Sequence, residues 1–431
     1  MPGYIEDRWM TKKPDPTTGA KRRTARYGQG KRYRVAGIPG VKDRSFAKLE
    51  GPEGAKAWLA KAQHQSTAGE FIDPRRGQIL LRDYIENEWW PRRDYENPSS
   101  EATVRTRIWT HVIPHLGDHT LSGVRTPQLA EWLVTLKATC GPSNANAVWG
   151  HLSSILQAAI DDERITRNPC RSQTTLKVPT KASPAARAWS KKQVLAVREA
   201  MDERYRLLVD LGVGAGLRAG EAFGLSLADV DFDNGRLLIR RQVKKVASQP
   251  IFALPKGDKT REVPVPDYLL ERIRASLERR PAVPIELPWR DPRPPTTERQ
   301  AQERAPQTHA LIVTGARGGA IRTNTFYEHM WKPALAGAGV IPPPTISKRP
   351  DARRPGKQVA RAVYVESRQN GFHALRHTFT SVHLDAGENV VSVSKWLGHA
   401  DPSITLRIYA HMMPEADGRG RAAMQSWFEK P

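Results

Sequence analysis

Cysteine is scarce in this chain. Cys140 and Cys170 are the two in 431 residues, and they offer neither a disulfide framework nor zinc-ligand spacing. Long apolar runs are missing as well. No stretch approaches the roughly 18 apolar residues of a membrane-spanning helix, and no basic amphipathic helix suited to an anionic membrane stands out. The opening residues, MPGYIEDRWMTKK, carry no apolar h-region and do not read as a secretory signal. No membrane partner is therefore expected, and a reducing cytoplasm is the simplest compartment. Acidic residues are the third shortage: 45 Asp and Glu face 68 Lys and Arg, for a net charge of +23. That excess points to a polyanionic partner. Nucleic acid is the natural one, because each neutralised phosphate releases a condensed counterion.

The length suits two or three domains, and 39% hydrophobic residues are enough to build cores. Through about Gly69 the chain is basic, with Arg22, Arg23, Arg26, Lys31, Arg32 and Arg34 interleaved with Tyr27 and Tyr33. KRYRVAGI and VKDRSFA, on either side of a Pro39-Gly40 turn, read as two short strands. GPEGAKAWLAKAQHQ follows as a helix with Ala57, Leu59 and Ala62 as small apolar contacts. A small sheet with one helix suits DNA contact. The competing reading, a disordered basic tail, does not account for such regular punctuation.

From about Ile79 to Cys170 the pattern is helical. Leu80, Leu81, Tyr84, Ile85 and Trp89 recur close to helical spacing. TVRTRIWTHVIPHLGDHTL is a second helix stopped near Pro114. Thr126 is the candidate cap of a third, with Pro127 at its first position, and Ser143 to Asp162 is a fourth. Arg105, Arg107, Lys137, Arg164 and Arg167 outside such a bundle suggest a clamp on duplex DNA, although charged outer faces are usually just solvated. A linker from about Ser172 to Arg187 precedes the final part, which opens with Ser190 as a helix cap. That part holds two Pro- and Arg-rich inserts, near 280–308 and 341–369, that lack periodicity and read as extended surface loops.

Four short motifs follow one another in this final part. In GAGLRAGEAFGLSLADVDF, Gly214 and Gly216 precede a helix start and put Arg218 and Glu221 three apart on one helical face. A carboxylate so placed can hold a guanidinium fork as a phosphate clamp, although a surface ion pair is the commoner outcome for that spacing alone. LLIRRQ and IFALPKGDKTREVPVP read as a β-hairpin about Gly257-Asp258, with Lys256 and Lys259 at its tip. GFHALRHTFTSVHLDAG places His373, Arg376 and His377 on one helical face. His373 and His377 have metal-ligand spacing, but no Glu stands as in HExxH and an intervening Arg would repel a dication. No metal and no cofactor are expected, and His377 reads as a satisfied core histidine. In SKWLGHADPSITLRIYAH, Gly398-His399 ends one helix and Asp401-Pro402-Ser403 caps the next, which carries Tyr409.

Taken in order, Arg218, Lys256, His373 with Arg376, His399 and Tyr409 resemble the signature of the tyrosine recombinases, the lambda-type phage integrases. Each piece is moderately specific and the ordered set highly so. The resemblance covers Trp189 onward, with the preceding helices similar to the family's core-binding domain and the N-terminal segment more loosely similar to arm-binding domains. It implies a multidomain α+β chain: an arm-type DNA-binding module of small sheet plus helix at 1–68, an all-α core-binding domain at 77–171, and a mixed, mainly α catalytic domain with a small antiparallel sheet at 187–431.

The implied function is cutting and rejoining DNA through a 3′-phosphotyrosyl link, to integrate and excise a mobile element. The resemblance gives Tyr409 the role of nucleophile. It makes Arg218 and Arg376 the clamp on the non-bridging oxygens, Lys256 the acid for the leaving oxygen, and His373 an acid/base aid. His399 would bond the phosphate, with Glu221 and His377 in support. Clustered cations should favour the ionised phenol in the assembled, DNA-bound site. Implied partners are double-stranded attachment sites, a homotetramer on DNA, a DNA-bending host factor and a directionality factor, in a cytoplasmic, nucleoid-associated setting. Met424, Trp427 and Phe428 form an apolar stripe in the tail for docking on a neighbouring subunit or on its own domain. A type IB topoisomerase, a resolvase-type or transposon-borne recombinase, and a catalytically silent DNA-binding regulator are the rival readings. The Arg-, Ala- and Pro-rich composition suggests a GC-rich source such as an actinobacterial element.

Overall fold

The computed structural model describes residues 3–16, 18–38, 41–67, 75–95, 97–171, 178, 187–246, 248–350, 358–365, 367–410 and 419–429. Contacts divide the chain into two units, Met1–Glu96 with Ser100–Ala182, and Asn97–Ser99 with Ser183–Pro431.

The first unit opens with an antiparallel sheet of β1 (Tyr4–Asp7), β2 (Tyr33–Ala36) and β3 (Arg44–Phe46), in that order. β1 is an addition to the two strands expected. It is held where Arg32 forks onto the Asp7 carboxylate at 2.8–3.2 Å. The expected Pro39-Gly40 turn, like most of the Ser172–Arg187 linker, lies outside the described residues. Helix α1 (Ala55–Thr67) covers the sheet with Ala55, Trp58, Leu59 and Ala62, which meet Val35, Ile38 and Phe46. Ala57, expected among these contacts, is exposed instead, because it is out of phase with the 55, 58/59, 62 stripe.

The helical part of this unit comprises α2 (Leu81–Tyr84, running on through a wider turn at Ile85–Trp89), α3 (Pro98–His111), α4 (Ile113–Leu116), α5 (Thr126–Thr139) and α6 (Pro142–Asp161). Its core includes Leu81, Tyr84, Ile85, Trp89, Ile108, Leu133 and Leu152. Thr126 proves to be the first residue of α5 rather than its cap. Arg125 holds the cap position with extended backbone and no side-chain cap bond, while Pro127 fits the first turn, where its missing amide costs nothing.

The second unit begins with α7 (Lys191–Ala200), capped as expected by Ser190, whose hydroxyl accepts from the Gln193 amide while the Gln193 side chain reaches back. Then come α8 (Arg206–Gly214), α9 (Ala219–Phe223), β4 (Val230–Asp231), β5 (Arg236–Ile239), β6 (Gln242–Val246), β7 (Gln249–Ala253), β8 (Arg261–Pro264) and α10 (Asp267–Arg279). β9 (Val283–Leu287), α11 (Glu298–Glu303), β10 (Gln307–Leu311), α12 (Thr323–Phe326), α13 (Lys332–Gly337), β11 (Thr345–Pro350) and β12 (Gln358–Val363) follow. The last elements are α14 (His373–Asp385), α15 (Val390–Leu397), α16 (Pro402–Tyr409) and α17 (Arg419–Glu429). Trp189 and Trp331 stack with ring centroids 6.0 Å apart in a core that also buries Phe326, Phe372, Leu375 and Phe379. α8 lies directly on α14. A Cβ at Gly212 would come within 2.6 Å of Leu375 Cδ1, so glycine sets that approach.

Two sequence expectations fail in this unit. β7 and β8 do not pair across Gly257-Asp258: β7 pairs with β6, and β8 pairs with β5 in the sheet β4-β5-β8. Lys256 and Lys259 therefore sit on an exposed connection between two strand pairs. For β7 the nearer partner wins, because the turn to β6 closes a smaller loop, whereas β8 takes the more distant β5. Nor are the inserts plain loops. β9 and β10 pair antiparallel from Val283↔Leu311 to Leu287↔Gln307, and β11 pairs with β12 from Thr345↔Val363 onward. Val283, Ile285 and Leu287 do alternate with Pro284 and Glu286, a period that the flanking prolines obscure.

The sheet is anchored by a buried ion pair. Arg241 donates to both oxygens of Asp229, and Asp229 also accepts from Ser226 at 2.9–3.0 Å. Breaking a buried pair from one side leaves an uncompensated charge, at about 3–5 kcal/mol. Asp229→Ala should therefore lower the unfolding transition of the second unit by several degrees in scanning calorimetry of the full chain. An unchanged melting profile would contradict the anchoring role.

Candidate active site

The site grows from the turn between α8 and α9. The chain leaves α8 through Gly216 at φ +63°, where an added Cβ would meet Phe379 Cδ1 at 2.7 Å, so glycine is required twice over. Arg218 is not inside a helix, as the sequence spacing had it. It occupies the cap position of α9 with extended backbone, and Glu221 in the first turn reaches back to it. The backbone amide of Arg218 donates to Glu221 Oε2 and its Nη1 donates to Oε1, both at 2.9 Å. Contact thus survives, while a cap geometry replaces the helical one.

Glu221 also receives a residue that sequence reasoning missed. Arg261, at the start of β8, donates Nη1 to Oε1 at 3.0 Å and Nη2 to Oε2 at 2.7 Å, and its Nε donates to the Trp396 carbonyl at 2.6 Å. Burial alone would raise the Glu221 pKa. The hydrogen bonds and charge of Arg261, followed by the charges of Arg218 and Arg376, bring it down to about 2. The carboxylate is therefore ionised and shared between two guanidinium forks. Arg261 lies in the stretch TRE just after the lysine loop, and no periodicity marks it.

Helix α14 supplies the next three groups. Arg376 is 1% exposed, and its Nη1 donates to the Gly216 carbonyl at 2.8 Å while Nη2 donates to the Leu397 carbonyl. Its guanidinium is thus fixed between the α8–α9 turn and the end of α15. Burial, and then the like charge of Arg218, lower its pKa, and Glu221 acts the other way. His373 and His377 stand edge to face, with ring centroids 4.7 Å apart. Burial and then the charges of His377 and Arg376 pull the His373 pKa down, although surface area leaves that ring open to solvent on one side. His377 is brought down to about 4 by burial and by Arg376.

Gly398 ends α15 in the left-handed region at φ +66°, as a C-terminal cap. It presents His399, whose Nδ1 shares a 2.8 Å hydrogen bond with Thr405 Oγ1. Burial, and next Arg376 and Arg218, lower the His399 pKa to about 4. Asp401 caps α16 by accepting from the Ser403 amide at 2.9 Å, with Pro402 in the first turn, as read from the sequence. At the far end of that helix Tyr409 is 2% exposed, and its hydroxyl shares a 2.5 Å hydrogen bond with His377 Nδ1. Burial raises its pKa, partly offset by Thr380 and Arg376. Without DNA, then, the phenol is held neutral, the reverse of the ionised form expected in an assembled site.

The structure brings together Arg218, Glu221, His373, Arg376, His377, His399 and Tyr409, linked by these bonds and mutual charge effects. Lys256 is exposed on the connection between β7 and β8. No group of His, Cys, Asp and Glu suited to a metal ion occurs among the described residues. Among those same residues, no helix is long and apolar enough to cross a membrane.

Comparison with known proteins shows the family and the fold. The chain matches the Phage integrase family over residues 188–415 and the Phage integrase central domain over 81–174. It belongs to the phage integrase family. A XerC-like tyrosine recombinase of Caldanaerobacter subterraneus is 25% identical over 284 residues, 61% of either chain. The integrase of Mycobacterium phage L5 is 22% identical over 398 residues, covering 89% of this chain and 91% of that one. Against several curated relatives this chain spans about three fifths of the relative's length. The integrase of transposon Tn1549, solved with transposon right-end DNA, superposes with a TM-score of 0.58 at 17% identity, over 81% of this chain and 99% of that one. The fold is that of these recombinases.

The depressed histidine values have a measurable consequence. A base whose folded pKa lies below its unfolded value of about 6.5 binds fewer protons in the fold. Its contribution is full above that pH and is lost as pH falls toward 4. The melting temperature of the DNA-free chain should therefore fall steadily between pH 6.5 and 4, and His399→Asn should flatten part of that slope. Identical slopes in both proteins would contradict the neutral state of the half-buried His399.

Proposed function

We propose that this chain is a site-specific recombinase that integrates and excises a mobile element, cutting and rejoining duplex DNA through Tyr409. The observation that carries the reading is the clustering of Arg218, His373, Arg376, His399 and Tyr409, with Glu221 holding Arg218 and Arg261. Phosphodiester exchange needs an oxygen nucleophile, cations for the equatorial oxygens and an acid for the leaving oxygen. Arg218 and Arg376 would take the non-bridging oxygens, an effect of about 3–4 kcal/mol per donor in comparable oxyanion sites. His399, oriented by the bond between its Nδ1 and Thr405 Oγ1, would hydrogen-bond the phosphate through Nε2, and His373 would assist as acid/base.

Lys256 is proposed as the acid for the 5′ oxygen, reaching the site when its exposed loop meets the DNA groove. The phosphate's negative charge would offset the cost of ionising Tyr409, so the phenol reacts only once DNA is bound. Residues 1–68 would bind arm-type sites, 77–171 would clamp the core site, and 187–431 would hold the chemistry. Attachment-site duplexes are the substrate, and a tetramer the working assembly, with a DNA-bending host factor and a directionality factor as accessory partners. A cytoplasmic, nucleoid-associated setting fits that role. In α17, Met424, Trp427 and Phe428 are 55–73% exposed, which suits docking on a neighbouring subunit.

On a nicked suicide substrate built from the flanking DNA, wild type should form a covalent adduct and Tyr409→Phe none; an adduct with the variant would refute the nucleophile. Lys256→Ala should slow cleavage by about 10²–10⁴-fold. A 5′-bridging sulfur, which leaves without a proton, should restore it, whereas rescue of Lys259→Ala alone would move the acid to Lys259. Truncation after Arg421 should abolish tetrameric synapses in gel-shift assays while leaving monomer binding intact. Unchanged synapsis would place the tail on its own domain.

A further inference from the structure

His377 has no role in that reaction, yet its side chain is in direct contact with the Tyr409 oxygen, beside a second bond from Thr380. The Tyr409 hydroxyl lies 2.5 Å from His377 Nδ1, and the two rings sit with centroids 5.6 Å apart. Both partners are fixed from behind. His377 stands on α14 between Arg376 and Thr378, each pinned by hydrogen bonds, and Tyr409 closes α16, whose start is capped by Asp401. The charged and titratable groups around the pair are His373 and Arg376 on the same helix, Tyr409 on α16, and His399 at the α15–α16 turn. Among the described residues no carboxylate is one of these groups, and the imidazole is the titratable base bonded to the phenolic oxygen itself.

We infer that His377 is the proton acceptor for Tyr409 in strand cleavage and the proton donor to it in rejoining. The inference rests on the recombinase reading given above. In cleavage the Tyr409 O–H bond breaks and an Nδ1–H bond forms. The freed oxygen pair attacks phosphorus, the P–O5′ bond breaks, and the 5′ oxygen takes its proton from Lys256. Rejoining runs the same transfers backward: the incoming 5′ hydroxyl gives its proton to Lys256, and the imidazolium returns its proton to the departing phenolate. Burial, and then the charge of Arg376, keep His377 neutral and able to accept, and a bound phosphodiester supplies charge that offsets the imidazolium formed on transfer. An accepting nitrogen already aligned on the phenol makes that transfer a short step within one hydrogen bond.

The experiment measures single-turnover cleavage of the nicked suicide substrate by full-length wild type, His377→Asn and His377→Ala, across pH 6 to 10. Asn keeps an acceptor for the phenol but cannot take up a proton. Expected are unchanged DNA affinity and cleavage about 10²-fold slower in both variants. The variant rates should climb with pH as hydroxide replaces the base, and added imidazole should partly rescue His377→Ala. His377→Asn cleaving at the wild-type rate with the wild-type pH profile would overturn the inference. So would loss of DNA binding in step with cleavage, which marks a purely structural residue. Absence of any adduct with wild type, or an adduct with Tyr409→Phe, would instead sink the recombinase reading itself.

Discussion

The Glu221 carboxylate is the constraint on which the rest of the site depends. It is buried and ionised, and it holds the guanidinium of Arg218 on one side and that of Arg261 on the other. A buried carboxylate costs several kcal/mol to desolvate and is stable only with its hydrogen-bonding capacity filled. Here two forks and a backbone amide fill it. In return it fixes the turn after α8 to the start of β8, and Arg261 carries the link to the Trp396 carbonyl at the end of α15. Arg376, bonded to carbonyls on both sides of the same seam, completes a frame in which several cations lie close together without flying apart.

That frame gives the positive groups unequal access. Arg376 is enclosed, whereas Arg218 keeps about a fifth of its side-chain surface open and His373 faces solvent. An anion entering from the open side would meet Arg218 and His373 first and the field of Arg376 behind them. Tyr409 stays out of reach of water, neutral and bonded to His377. In the proposed reaction, a nucleophile masked in this way would not attack stray phosphates, and its release would be coupled to a negatively charged partner.

Much of this was legible from residue types and order. The α14 motif, the glycine stop at Gly398 and the Asp401 cap follow from local rules, because spacing and capping act within one or two turns. What was not legible depended on partners distant in sequence. Arg261 gains its meaning from Glu221, forty positions away. Strand β8 chooses β5 over β7 through pairing that local alternation does not encode, and β9 hid behind its prolines. His377 looked like a satisfied core residue. Satisfied it is, but its partner is Tyr409, a contact spanning 32 positions that only the fold reveals.

In the proposed reaction one atom, the Tyr409 phenolic oxygen, carries the DNA. The direct measurement is to trap the covalent complex on radiolabelled substrate, digest it with protease and nuclease, and sequence the residual labelled peptide by mass spectrometry. The expected product is a peptide spanning Ile404 to Ala410 with a 3′-nucleotide on Tyr409. The same label on any other residue, or a linkage through the 5′ phosphate, would contradict the assignment.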